Sequence, residues 1–308
     1  MAAVHTATYL PLGVEVTVAS ESIELLAAID AGLGRYPSSP MSLGGELAIT
    51  ATVKPDAPDD PAWPSMKAAT EGERMIVNCG TSTAVVDMRA RTVSLTLAAS
   101  ICAVPDALRL FVESAFTAVN GHAGRLHAIH SALVVADDTG LVLRGPSGGG
   151  KSTLTYACLR RGMSVASDDW IYGAAGERAG TFAGYPWRIM LTEVAAGRFV
   201  ELASVAAVAH PSAEGKKVAI VPPIDRQVPV AHAAAIVLLD PRPLLRLSEI
   251  THTEALERFW ASSLPSEREH LDRDWVSDLL RRPTYLLCRG GSPVAAAHAL
   301  HDLAVSLR

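Results

Sequence analysis

The chain has no run of about 18 consecutive apolar residues, the length a membrane-spanning helix requires, so no span is expected. It is poor in aromatics: Trp, Tyr and Phe supply 5 % of 308 residues, although hydrophobic residues reach 49 %. That apolar fraction excludes a chain disordered overall, and a core of Ala, Val and Leu points to helices packed closely on a sheet. An excess of positive charge is also missing. The 27 Lys and Arg face 32 Asp and Glu, a net charge of −5. A general nucleic-acid binder needs a basic face, and electrostatic docking on an anionic membrane needs one too, so neither partner is expected. Cysteine is scarce and scattered. Cys79, Cys102, Cys158 and Cys288 show no paired spacing, which excludes a disulfide frame and a zinc site and suits a reducing compartment. Residues 1–11 lack a basic stretch followed by an apolar one, so no signal peptide is expected and the expected location is cytoplasmic. No repeat of 20–50 residues is evident.

The length suits one large domain or two smaller ones, and a change of character divides the chain into 1–122 and 123–308. In the first part, residues 12–18, 47–53, 75–77, 84–87 and 92–97 read as strands. Helices are expected from about residue 20 or 22 to 31 and over 106–120. Residues 55–64 carry four prolines and three aspartates and read as a surface loop. This smaller mixed α+β domain holds no recognisable chemistry, and a substrate-selecting or oligomer-forming role is left open for it.

The second part opens with a hairpin, strands 133–136 and 141–144 around a turn at 137–140. Gly145-Pro-Ser-Gly-Gly-Gly-Lys-Ser152 follows and fits G-x-x-x-x-G-K-[ST] at every fixed position, between a strand and a helix over 152–161. Such a phosphate loop needs glycine so that successive amides can turn inward toward phosphate oxygens. The helix start adds unpaired N–H groups. Gly145, Ser147, Gly148, Gly149, Gly150, Lys151, Ser152 and Thr153 are therefore the candidate nucleotide-binding residues. Lys151 would reach the β- and γ-phosphates, and Ser152 would ligate Mg²⁺.

A phosphate loop needs a second metal contact at a neighbouring strand end. Asp168-Asp169 follows strand 163–167, and Asp240 ends strand 235–240. For Asp240 the expectation is a strand running into a Pro-rich turn. The loop also looks like that of transporter ATPases, but Pro241 stands where their Glu would, and no Leu-Ser-Gly-Gly-Gln stretch is present. The Asp pair is more informative. One carboxylate can hold Mg²⁺ while the other takes a proton from an attacking hydroxyl.

On these residues the sequence resembles the HPr kinase/phosphorylase family and, more distantly, ATP-dependent phosphoenolpyruvate carboxykinase. His130 precedes the hairpin, the helix closes on Leu159-Arg-Arg-Gly162, and the Asp pair falls 17 and 18 positions after Lys151. Trp187-Arg188-Ile189 and Gly215-Lys-Lys217, with Arg226 beyond, sit where the family has an Arg-bearing strand and further basic residues. Thr153 replaces the family's Glu, and Gly184-Tyr-Pro-Trp-Arg-Ile-Met-Leu191 replaces its glycine-rich signature. The resemblance covers about 126–240 and implies an α/β fold with a P-loop-containing, HPr-kinase-like catalytic domain. It implies an ATP- and Mg²⁺-dependent kinase acting on a hydroxyl of a peptide, protein or small molecule. Asp168, Asp169, Lys151, Arg188 and His130 would be the catalytic set, Lys217 a nucleotide contact, and Ser152 with Asp169 the metal ligands. A nucleotide-binding regulator or scaffold and an energy-coupling ATPase are the alternatives, and a homo-oligomer is left open.

The C-terminal part reads as helices over 254–262, 267–281 and 292–307 around a strand at 283–288. Trp260 and Trp275 are expected in the core, and His298 and His301 at the surface.

Overall fold

The computed structural model describes residues 3–11, 14–34, 46–55, 66–122, 126–176, 179–205, 207–209 and 216–308. The Pro-rich loop read at 55–64 lies outside them, apart from Pro55. The fold is mixed α/β. The chain gathers into two compact units, Met1–Leu126 and His127–Arg308.

The first unit runs β1 (His5–Tyr9), β2 (Glu15–Ser20), α1 (Ile23–Leu33), β3 (Glu46–Lys54), β4 (Met66–Glu71), β5 (Arg74–Cys79), β6 (Ser82–Asp87), β7 (Thr92–Ala98), α2 (Ala99–Cys102) and α3 (Pro105–His122). Its strands form one mixed sheet in the order β1-β2-β3-β7-β6-β5-β4. Ser22 starts α1 by accepting the Leu25 amide at 3.1 Å. The helix carries the chain between the parallel strands β2 and β3. Alternate residues are buried: Val16 and Val18, then Leu47, Ile49 and Ala51, then Val93, Leu95 and Leu97. Helix α3 buries Leu108, Phe111, Val112 and Ala115 and packs on β5 and β6. The sequence pattern misses β1 and β4 for a physical reason. Both are edge strands, and β4 is exposed along its whole length, so neither carries the alternation that a buried face imposes.

The second unit continues with β8 (Leu126–Ile129), β9 (Ser131–Ala136), β10 (Thr139–Arg144), α4 (Lys151–Arg160), β11 (Ser164–Ser167), β12 (Ile171–Ala174), β13 (Thr181–Gly184), β14 (Ile189–Thr192), α5 (Glu193–Ala196), β15 (Val208–Ala209), β16 (Lys216–Ile220), β17 (Val230–Asp240), β18 (Arg246–Glu249), α6 (His252–Ala261), α7 (Pro265–His270), α8 (Arg273–Leu279), β19 (Thr284–Cys288) and α9 (Pro293–Ser306). The hairpin β9–β10 turns at Asp137 and Asp138, both at positive φ, as a tight hairpin turn requires. Every residue of β9 and β10 is buried, because elements cover both faces of the sheet. One face carries Leu154 and Cys158 of α4 with Leu300 and Leu303 of α9. The other carries Phe259 of α6 with Trp275 and Val276 of α8.

The helix expected over 267–281 is two helices. Asp272 breaks it by accepting the amides of Asp274 at 2.7 Å and Trp275 at 3.2 Å, which starts α8 afresh. All four cysteines lie outside any disulfide. No helix of the described residues is long and apolar enough to cross a membrane.

Direction matters most for function. β10 runs parallel to β17, and β17 parallel to β19. β11 is antiparallel to β9, which is antiparallel to β10, so β11 shares their direction. The C-terminal ends of β11, β10, β17 and β19 therefore meet at one edge, where open α/β sheets bind ligands.

Leu300 is fully buried between α9 and α4. Leu300→Ala is expected to lower stability by about 2–5 kcal/mol through lost burial and an unfilled cavity. Urea unfolding of the variant beside the parent chain measures it.

Candidate active site

The loop 145–150 leaves the end of β10 and feeds directly into α4. Gly148 (φ 71°) and Gly150 (φ 89°) occupy the left-handed region that side chains resist, and the Gly149 amide donates to the Pro146 carbonyl at 2.9 Å. Lys151 is buried. Its Nζ donates to the carbonyls of Gly145 at 3.0 Å and Pro146 at 3.3 Å. Burial lowers its pKa to about 8, although the Asp169 charge resists the shift.

The Asp pair follows β11 at the same edge, and its two members have opposite surroundings. Asp168 is buried. Its Oδ2 accepts the Met190 amide at 3.0 Å, and the Ser152 side chain is near enough to its carboxylate to act on its pKa. Burial pushes it up to about 7 and the neighbouring Asp169 charge adds to the rise. The Met190 amide, Ser152 and the Lys217 charge pull the other way. Asp169 turns outward, its side chain 64 % exposed, with Oδ1 3.0 Å from Nε2 of His130. Desolvation alone would raise Asp169. The hydrogen bond and charge of His130, with the charges of Lys151 and Lys217, outweigh that and hold it below the usual carboxylate range.

The remaining expected residues arrive on a small sheet, β14-β16-β15. Arg188 is half-buried and immediately precedes β14, two residues before the amide that binds Asp168. Lys217 lies opposite Thr192 in β16, and both carboxylates feel its charge. Loop, Asp pair, His130 and Lys217 thus share one electrostatic neighbourhood. Gly215 lies outside the described residues. Arg226 is directed elsewhere, onto the Gly162 carbonyl. Asp240 ends β17 and is held by Arg242 at 2.9 Å and Arg258 at 3.4 Å. Trp275 is buried, stacked on His127 at 4.3 Å.

Sequence reading missed what holds these parts in place. Arg144, the last residue of β10, is completely buried. It donates to Glu267 of α7 at 2.9 Å and to Ser263 at 2.7 Å, with its guanidinium 3.8 Å over the Phe259 ring. The same Glu267 accepts the His130 amide at 2.8 Å and the Leu264 amide at 2.7 Å. The signal was an arginine ending a strand otherwise buried and apolar, which demands a carboxylate partner.

Burial would raise the Glu267 pKa, but its bonds to Arg144 and the two amides hold it below the ordinary range. A depressed folded pKa stabilises the fold above the unfolded value of about 4.3 and loses that contribution as pH falls through the folded value. Glu267→Gln is expected to cost about 3–5 kcal/mol at neutral pH, because Arg144 stays charged and buried. It is also expected to flatten the acid side of the stability–pH curve. Urea unfolding between pH 3 and 7 checks both.

No protein-family model matches the chain. No curated protein matches it. Solved structures do match. One is the HPr(Ser) kinase/phosphatase from Coxiella burnetii, 15 % identical, covering 59 % of this chain and 92 % of that one with a TM-score of 0.34. Similarity at that level is not membership of its family and sets no residue's role.

Proposed function

We propose that this chain is an ATP- and Mg²⁺-dependent kinase that transfers the γ-phosphoryl group to a hydroxyl of a peptide, protein or small molecule. The observation that carries this reading is the split within the Asp pair. Asp168 is buried against the loop's Ser152 with its pKa raised, while Asp169 is exposed, bonded to His130 and ionised. Two adjacent carboxylates pushed apart in this way suit two different tasks.

The Ser152 hydroxyl and the Asp168 carboxylate are hard oxygen donors of the kind Mg²⁺ takes alongside phosphate oxygens. They fit the ion. When bound it would neutralise charge on the phosphates. The sequence pairs Asp169 with Ser152 as metal ligands, whereas the influence of the Ser152 side chain on the Asp168 carboxylate favours Asp168 there and leaves Asp169 for the proton. In the proposed reaction the acceptor hydroxyl gives its proton to Asp169. Its oxygen bonds to the γ-phosphorus, and the bond from that phosphorus to the oxygen bridging to ADP breaks. His130 orients Asp169 through Nε2. Lys151 exchanges the loop carbonyls for the β- and γ-phosphates, and the anion restores its full charge. Arg188 and Lys217 steady the charge on the transferring group.

Incubation with γ-labelled ATP and serine-bearing acceptors tests the reading. Asp168→Asn and Asp169→Asn are each expected to cut transfer by about 10²–10⁴-fold. Asp168→Asn should also raise the Mg²⁺ concentration needed for half-maximal rate, and Asp169→Asn should leave it unchanged. Transfer that survives both substitutions sinks the mechanism. Nucleotide binding with no labelled acceptor in the parent chain points to a regulator instead.

A further inference from the structure

The loop has a second charged flank that the proposed reaction does not use. Ser152 and Thr153 are consecutive in the first turn of α4 and so point about 100° apart around the helix. Ser152 meets Asp168, whereas Thr153 lines a cleft on another side with Gly150, Arg198, Arg289, Gly290 and Pro293. Arg289 follows the end of β19, the fourth strand ending at this edge. It lies so close to the loop that a Cβ at Gly150 would collide with its guanidinium.

Two arginines share this cleft without a carboxylate at ion-pair distance among the described residues. The Arg289 Nε is buried with no hydrogen-bond partner among them. Burial and the nearby Arg198 charge both lower the Arg289 pKa, and Asp240 opposes them weakly. Asp240 is already committed to Arg242 and Arg258. Two like charges brought together beside loop amides, one of them with an orphaned buried donor, are costly unless an anion joins them. Position says which anion. If the γ-phosphate reacts at the Asp pair, the rest of the triphosphate leaves along the loop amides away from it.

Resting on the kinase reading above, we infer that Arg198 and Arg289 form an anion subsite beside Gly150 and Thr153 for the α-phosphate of a nucleoside di- or triphosphate. The two guanidiniums grip the nucleoside-proximal phosphate, opposite the side where transfer occurs. Guanidinium geometry suits paired contacts to phosphate oxygens.

Calorimetric titration of the full chain with MgADP and, separately, magnesium pyrophosphate tests this, because pyrophosphate can satisfy the loop without a nucleoside-proximal phosphate. Arg198→Ala and Arg289→Ala are each expected to weaken MgADP binding by about tenfold or more, the loss of a charged hydrogen bond. Pyrophosphate affinity should stay within about twofold, and Arg289→Lys should recover part of the loss. Arg198 is exposed, so its variant probes the site without disturbing the core. Unchanged MgADP affinity in both alanine variants overturns the subsite. An equal fall for both ligands also overturns it, since Arg289 then only props the loop. A parent chain that binds neither ligand removes the kinase reading along with it, whereas a parent that binds both while the variants are indifferent removes the subsite alone.

Discussion

The ion pair between Arg144 and Glu267 is the constraint on which the site depends. Both side chains are almost wholly out of water, at 0 % and 2 % exposure. Two charges taken out of water cost several kcal/mol each unless every lone pair and proton finds a partner. Glu267 meets that demand with Arg144 and the amides of His130 and Leu264. Arg144 adds Ser263 and the Phe259 ring, while its Nε has no hydrogen-bond partner among the described residues. The end of β10, the joint between β8 and β9 and the turn from α6 into α7 are thereby tied to one carboxylate. The glycine loop begins at the next residue after Arg144, and His130 carries the ring that holds Asp169. Neither can shift without breaking a buried charge's coordination, so loop and carboxylate pair keep a set relation.

Strand direction supplies the second constraint. Four parallel strand ends bring Asp168, the loop, Asp240 and Arg289 to one edge although they are dispersed along the chain. The edge is not uniform. Asp240 is neutralised by two arginines, whereas Arg198 and Arg289 have no carboxylate at that distance among the described residues. Asp168 and Asp169 differ as much in environment as they are alike in chemistry. Their difference lies in what surrounds them just past the end of β11, Asp168 buried against the Met190 amide and Asp169 exposed beside His130.

Local pattern carried much of the fold. Strands β2, β3, β6 and β7 show alternation because one face of their sheet is buried, and the loop motif marks the β10–α4 junction through glycine spacing. Pattern failed where burial leaves no period. β4 is exposed throughout, and α7 and α8 were merged because the break at Asp272 is a capping hydrogen bond inside a polar stretch. In the site, Lys151 and Ser152 were legible because backbone geometry fixes their places relative to the loop. Arg144 and Glu267, 123 positions apart, were not, because no local rule pairs a strand arginine with a distant helix glutamate.

By itself the sequence determined the glycine loop that opens α4, the carboxylate pair and the cations available to it, since glycine conformations, helix starts and strand ends are short-range properties. Only the tertiary structure decided which aspartate meets Ser152, which one His130 holds, and that Arg198 and Arg289 close on the loop's other flank. Those outcomes depend on burial and on the order of strands in the sheet, and burial belongs to the packed chain rather than to any stretch of it.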